Sequence, residues 1–221
     1  MSTSHQIAFV RPGSPAALAG VEPMDIIKEI NGVELIDIFD YYYYEDEPAF
    51  DMLIEKPDQA RHLVHITKSE GEDLGITFEN GLMDDYRSCH NKCMFCFIDQ
   101  MPPGMRETLY FKDDDTRLSF LQGNYVTLTN MSEHDIDRII QYKLSPINIS
   151  FQTMNPELRC KMLHNRFAGE IFDKVKRLKD AGIIMNGQIV LCKNVNDGEE
   201  LERSIRDLSG FIPNIESVSV V

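Results

Sequence analysis

The sequence predicts an α/β protein with a parallel sheet, preceded by a small β-rich module. Three observations predict it. Strand-like and helix-like stretches alternate through the second half, Asn31-Gly32 marks a tight hairpin in the first half, and the charge changes near residue 82. Residues 1–82 hold 16 of the 36 acidic and 5 of the 22 basic side chains, whereas residues 83–221 hold a nearly balanced 20 and 17. Such asymmetry implies two modules with different surfaces, 1–82 and 83–221.

In the first module a strand beginning at Ile7 leads to Ser14, a helix N-cap, with Pro15 at the first helical position and Gly20 as the stop. Residues 25–30 and 33–36 then form the hairpin around Asn31-Gly32. Arg61–Thr67 and Leu74–Phe78 read as further strands. The run Tyr41–Tyr44 lies between Ile38-Phe39 and an acidic stretch, which suits a helix face packed against the neighbouring module.

In the second module 123–129 is strand-like, Ser132 caps a helix over 133–143, and 146–151 is the next strand. Helices over 155–164 and 170–181 come next, the latter stopped by Gly182. A strand over 183–191, a helix over 197–208 and a strand over 215–221 complete the pattern. With the short segment 83–87 this makes about five parallel strands joined by right-handed crossovers. Sites in such sheets lie outside the carboxyl ends of the strands.

Composition narrows the function. A 43% hydrophobic share is globular, and no apolar run approaches the ~20 residues a membrane helix requires. The net charge of −14 opposes general nucleic-acid binding, which depends on phosphate neutralisation by Lys and Arg. Five cysteines behind an N-terminus without an apolar signal core point to the cytoplasm.

Cys89, Cys93 and Cys96 stand at x3 and x2 spacing, with Phe95 before the last. Three thiolates on one short loop can hold three irons of a 4Fe-4S cubane and leave the fourth iron open to a small molecule. A zinc site is the alternative, and it needs a fourth ligand from His90, His164, Cys160 or Cys192. Cys160 and Cys192, single among apolar residues, read as buried thiols. Asp113-Asp114-Asp115, flanked by Arg106 and Arg117, reads as a solvated turn, with a divalent-metal or substrate site as its alternative.

The cysteine spacing and its aromatic match the motif of the radical S-adenosylmethionine superfamily. The second module resembles the first five strands of that superfamily's partial barrel. "PGSPA…AG…D-I-I…I-N-G" in the first module resembles a bacterial PDZ domain over roughly residues 5–80. Together with "R-S-C-x-N-K-C-x-F-C-F-I-D-Q", "P-P-G-M-R", "L-Y-F-K-D-D-D" and "R-L-S-F-L-x-G-N-Y", the whole resembles a bacterial PDZ-plus-radical-S-adenosylmethionine family of iron–sulfur oxidoreductases with a C-terminal domain of unknown function. Members are about twice this length. The chain is therefore expected to be an N-terminal portion, its apolar last strand covered by the family's C-terminal half.

That resemblance implies a cluster on the three cysteines, S-adenosylmethionine as cofactor, and reductive cleavage to a 5′-deoxyadenosyl radical. It also implies an electron donor of flavodoxin or ferredoxin type. The backbone at Phe95 should meet the adenine. Thr129 and Asn130 should take the place of the superfamily's Gly-Gly-Glu stretch, which receives the cofactor's amino group, although no glutamate is present. Ser150 and Gln152 should contact the ribose, and the backbone of Gly187 and Val190 the adenine; ordinary strand packing is the alternative for all four. A PDZ-like module usually adds an extended peptide to a sheet edge, but its acidity favours a structural or docking role. The alternative function is an interaction protein in which a metal site is structural or redox-sensing.

Overall fold

The computed structural model describes residues 5–221, which form two compact units divided after Tyr86. The architecture is mixed α/β. In the first unit β1 (Ile7–Val10) pairs antiparallel with β6 (Ile76–Phe78). A second antiparallel sheet has the order β3 (Val33–Glu34), β2 (Ile26–Ile30), β4 (Ala49–Glu55), β5 (Arg61–Thr67). The β2–β3 turn places Asn31 at φ 51° and Gly32 at φ 76°, the two left-handed positions a two-residue hairpin needs. Strand β4 is not among the strands expected from sequence. Its Phe50, Met52 and Ile54 are buried while Ala49 and Asp51 are exposed, the period of two of a half-buried strand.

Local caps delimit the helices of this unit. Ser14 accepts from Ala17 N at 3.3 Å and opens α1 (Pro15–Leu18). Asp37 opens α2 (Ile38–Glu45) by accepting from Phe39 N at 3.0 Å, and Asp40 closes the capping box on Asp37 N at 3.2 Å. Within this unit the tyrosine run makes an aromatic contact with a strand. Tyr41 is buried edge-on against Phe78, with ring centroids 4.8 Å apart, while Tyr42 and Tyr43 are exposed.

In the second unit β7 (Ile147–Ser150), β8 (Met185–Ile189) and β9 (Ile215–Val220) form a parallel sheet in that order. Between β7 and β8 run α5 (Pro156–Leu163) and α6 (Ile171–Asp180), and between β8 and β9 runs α7 (Glu199–Ser209). Upstream lie α3 (Thr116–Gln122) and α4 (Glu133–Gln141), the latter opened by a Ser132/Asp135 capping box. Val126, Ile149, Phe151, Met185 and Val175 are part of one apolar core.

The parallel sheet is smaller than the five strands expected. No strand covers 83–87, where Met83 turns at φ 56°. The run 123–129 contributes one parallel bridge, Val126 to Ile149. Gly123 at φ 78° ends α3 just before it, and Leu128 at φ 60° turns the chain out just after. Only the middle of the run remains extended. Among the described residues no helix is long and apolar enough to cross a membrane.

Gly187 lies opposite Ile149 on one side and Val218 on the other. A Cβ there would stand 3.0 Å from two Phe151 ring carbons and 3.0 Å from Val218 Cγ2. Gly187→Val should therefore cost about 1–3 kcal/mol by overpacking, read as a lower urea midpoint; an unchanged midpoint would show that the Phe151 ring moves aside freely.

Candidate functional site

The cysteine loop hangs on the end of a helix. The last carbonyls of α5 have no partners within their own helix. Leu163 O accepts from Lys92 N and Met162 O from Met94 N, both at 3.0 Å. Cys96 N donates to Cys93 O at 3.0 Å to form a turn, and Cys89 N donates to Lys112 O at 2.7 Å. All three cysteines are half-buried. Burial pushes the Cys93 thiol up to about 12, with the neighbouring charges of Cys89 and Cys96 adding to it, and burial raises Cys89 as well. The three sulfurs thus share one electrostatic neighbourhood, although among the described residues no three ligating side chains converge to metal-ligand geometry. The donor set suits a soft metal centre. A bound cation would hold these thiols as thiolates, and its arrival would release their protons.

Behind the loop lies a polar network. Asn91, buried between Cys89 and Cys93, donates from Nδ2 to the hydroxyls of Thr127 and Thr129 at 3.0 and 2.9 Å and accepts from Asn165 Nδ2 at 2.7 Å. Asp114 accepts from Thr127 N at 2.7 Å and from Thr127 Oγ1 at 2.6 Å. Burial pushes its carboxyl up to about 6 despite those bonds. Lys112 donates to Asp99 at 2.7 Å and to Asn91 O at 3.1 Å, which brings one cation to the loop.

Two buried cations hold the neighbouring turns. Arg159 donates to the carbonyls of Phe151, Ala168, Thr127 and Ser150 at 2.7 to 2.9 Å. Full burial lowers its pKa to about 10, which leaves it charged at neutral pH. Lys174 donates to Leu128 O at 2.9 Å and to Met131 O at 3.2 Å.

The residues singled out from sequence fall into three groups. Thr129 and Asn130 join the cysteine loop, Thr129 through Asn91 and Asn130 through a 2.9 Å bond from its Nδ2 to Ser88 O. Phe95 packs with Cys93 against Met162, Leu163 and Ala168. Ser150, Gln152, Gly187 and Val190 lie at or near the sheet instead. Ser150 gives its carbonyl to Arg159, and Gln152 Oε1 accepts from Val190 N at 2.6 Å, so those two pair with one another. Among the described residues none of these four hydrogen-bonds to Cys89, Cys93 or Cys96, while Val190 O lies 3.9 Å from Cys192 Sγ.

Two expectations are corrected. Cys160 and Cys192 are half-buried rather than fully buried. The aspartate triplet is not a solvated turn, because Asp114 and Asp115 are 3% and 0% exposed. Asp115 caps α3 and pairs with Arg117 at 2.7 Å, which holds its carboxyl below the ordinary range against the opposing effect of burial. The cue lay in Asp115-Thr-Arg-Leu118, where an aspartate precedes a helical run. Asn91, Thr127 and Arg159 were also missed, since each acts through partners 36, 13 and 32 residues away in sequence.

A family model described as a radical SAM-like domain matches residues 68–218, which include the whole cysteine loop and the three-stranded sheet up to Val218. No curated protein matches the chain.

Two outcomes are expected here. Arg159→Met leaves four carbonyls without their shared donor and should destabilise the second unit by about 3 kcal/mol or more, with Arg159→Lys recovering only part; denaturation of the variants checks this. Asp114 has a folded pKa above its unfolded value of ~3.9, so its contribution is fully present below that value and is lost as pH rises through about 6. Asp115 and Asp135, both depressed, contribute in the opposite sense and lose their effect as pH falls. Unfolding free energies measured from pH 4 to 7 should show a decline that vanishes in Asp114→Asn.

Proposed function

Because the chain belongs to the radical SAM-like domain family, we propose that its cysteine loop holds a 4Fe-4S cluster through Cys89, Cys93 and Cys96 and that the protein is a radical S-adenosylmethionine enzyme. The observation that carries the proposal is three half-buried thiols within reach of one another's charge on a single loop, inside the matched region. When bound and reduced, such a cluster supplies one electron that cleaves S-adenosylmethionine to methionine and a 5′-deoxyadenosyl radical.

The chain's own residues do the rest. The amides of Lys92 and Met94 fix the loop on α5, so the thiols start from one backbone conformation. Phe95 and the apolar side chains around Cys93 keep water from one side of the loop. Thr129 and Asn130, tied to the same loop, are the groups nearest to hand for the methionine moiety. Ser150 and Gln152 are assigned to the ribose, and Gly187 and Val190 to the adenine; Ser150, Gln152 and Val190 have the support of a position at or just past the carboxyl ends of β7 and β8, while Gly187 lies mid-strand in β8. An electron donor of flavodoxin or ferredoxin type is part of this reading, as is a cytoplasmic setting.

For the first unit we propose a PDZ-like docking role within a PDZ-plus-radical-S-adenosylmethionine protein. Leu74-Gly75-Ile76 resembles a PDZ carboxylate-binding loop, displaced in the chain, and its first two amides are already engaged. Leu74 N donates to Glu45 Oε1 at 3.0 Å and Gly75 N to Asp73 Oδ1 at 2.8 Å. That favours docking over capture of a free C-terminus.

Anaerobic reconstitution tests the cluster. About four irons per chain are expected, with cleavage of S-adenosylmethionine on reduction. Alanine at any one of Cys89, Cys93 or Cys96 should abolish both, whereas Cys160→Ala and Cys192→Ala should leave both intact. One tightly held zinc and no iron would overturn the proposal.

A further inference from the structure

Acidic side chains outnumber basic ones 36 to 22 in this chain, yet three segments in and around the cysteine loop contain none. They are residues 89–96, 158–168 and 190–196, and they carry Lys92, Arg159, Lys161, Arg166 and Lys193. The acids that flank them are mostly matched or distant. Asp99 pairs with Lys112 at 2.7 Å, Glu170 with Lys174 at 3.7 Å, and Glu157 stands at the opposite end of α5. Asp197 is half-buried.

The fold brings these segments together. Met162, Leu163 and Ala168 form a small apolar cluster. Cys93 and Phe95 pack against it from the first segment, Leu158 and Cys160 from the second, and Cys192 and Val195 from the third. Lys92, Lys161, Arg166 and Lys193 each stand within two residues of a member of that cluster, and all four are exposed. Among the described residues none of the four has a carboxylate partner; Arg166 lies over the Phe167 ring at 4.6 Å. Met94, Phe167 and Leu191 expose apolar surface in the same segments.

Unpaired cations interleaved with exposed apolar groups suit an acidic protein surface. The charges steer the encounter, and the apolar groups supply contact once it has docked. Screening within ~8 Å at physiological salt confines the attraction to the patch. A long polyanion would also meet the rest of a chain of net charge −14, whereas a protein can touch the patch alone. Cys93 lies within this face, which selects the partner's chemistry. Resting on the function proposed above, we infer that the face formed by Lys92, Lys161, Arg166 and Lys193 docks an acidic one-electron carrier protein. For a flavodoxin, one electron leaves the flavin hydroquinone, which becomes the semiquinone, and enters the bound cluster.

The test combines Lys92→Glu, Lys161→Glu and Lys193→Glu in iron-loaded protein. Stopped-flow absorbance follows cluster reduction by flavodoxin hydroquinone, and calorimetry with oxidised flavodoxin measures binding without electron transfer. Reduction by flavodoxin should slow at least ~tenfold, binding should weaken in parallel, and the wild type's sensitivity to salt should be lost. Iron content should be unchanged, as should reduction by the photochemically generated 5-deazariboflavin radical, a small neutral reductant. Flavodoxin behaving alike with variant and wild type, or binding neither, would overturn the inference and leave the proposed function standing. Slowing with both reductants would make the lysines structural and overturn it too. Loss of binding to a short single-stranded RNA, with flavodoxin unaffected, would give the patch to nucleic acid instead and overturn the inference. If the wild type takes up no iron, the proposed function falls and the inference with it. Melting temperatures monitor folding. Glutamine at the same three positions serves if the charge-reversed variant does not fold, and failure of both to fold would overturn the inference.

Discussion

The second unit depends on one guanidinium. Arg159 reaches from α5 to the carbonyls of Thr127, Ser150, Phe151 and Ala168, and so joins the end of β7, the turn after Val126 and the chain entering α6. These are the places where backbone leaves the regular ladder and would otherwise bury unpaired oxygens. A planar fork with five donors can serve four acceptors at once, which an ammonium cannot. The desolvation this requires is visible in its lowered pKa, and the return is that three segments distant in sequence have one geometry.

Around that fixed frame, charge is distributed unevenly. The cysteine thiols are raised by burial and by one another, Asp114 is raised by burial, and Asp115 and Asp135 are lowered by arginines. Perturbed groups of both kinds gather near the cysteine loop. The two aspartates held below their ordinary range, Asp115 and Asp135, have arginine partners within the chain. Asp114, Cys89 and Cys93 are held above theirs chiefly by burial, beside the loop's polar network.

Much of this was legible in the sequence, and the exceptions have physical reasons. The caps at Ser14 and Ser132, the Asn31-Gly32 turn and the strands β7, β8 and β9 are local signals, each complete within a few residues. The cysteine spacing is likewise local. Strand β4 escaped because Ala49 and Asp51 occupy its exposed face and dilute the apolar pattern. The run 123–129 has strand composition, yet a left-handed Leu128 limits it to one bridge, and no composition reveals that. Asp114 and Arg159 were the least legible. An acidic triplet looks solvated, and an arginine in a helix looks exposed, until distant carbonyls and hydroxyls close around them.

The attachment of the cysteine loop to α5 links two events usually considered apart. Lys92 and Met94 donate to Leu163 and Met162, so the last turn of the helix and the loop share the same hydrogen bonds. Fraying of that turn releases the loop, and any agent that tightens the loop restrains the helix end. Solvent exchange at these two amides therefore reports on whatever orders the loop, without observing the loop itself. Protease sensitivity near His164 should obey the same gate, since the left-handed residue that ends the helix marks the point where the shared bonds stop.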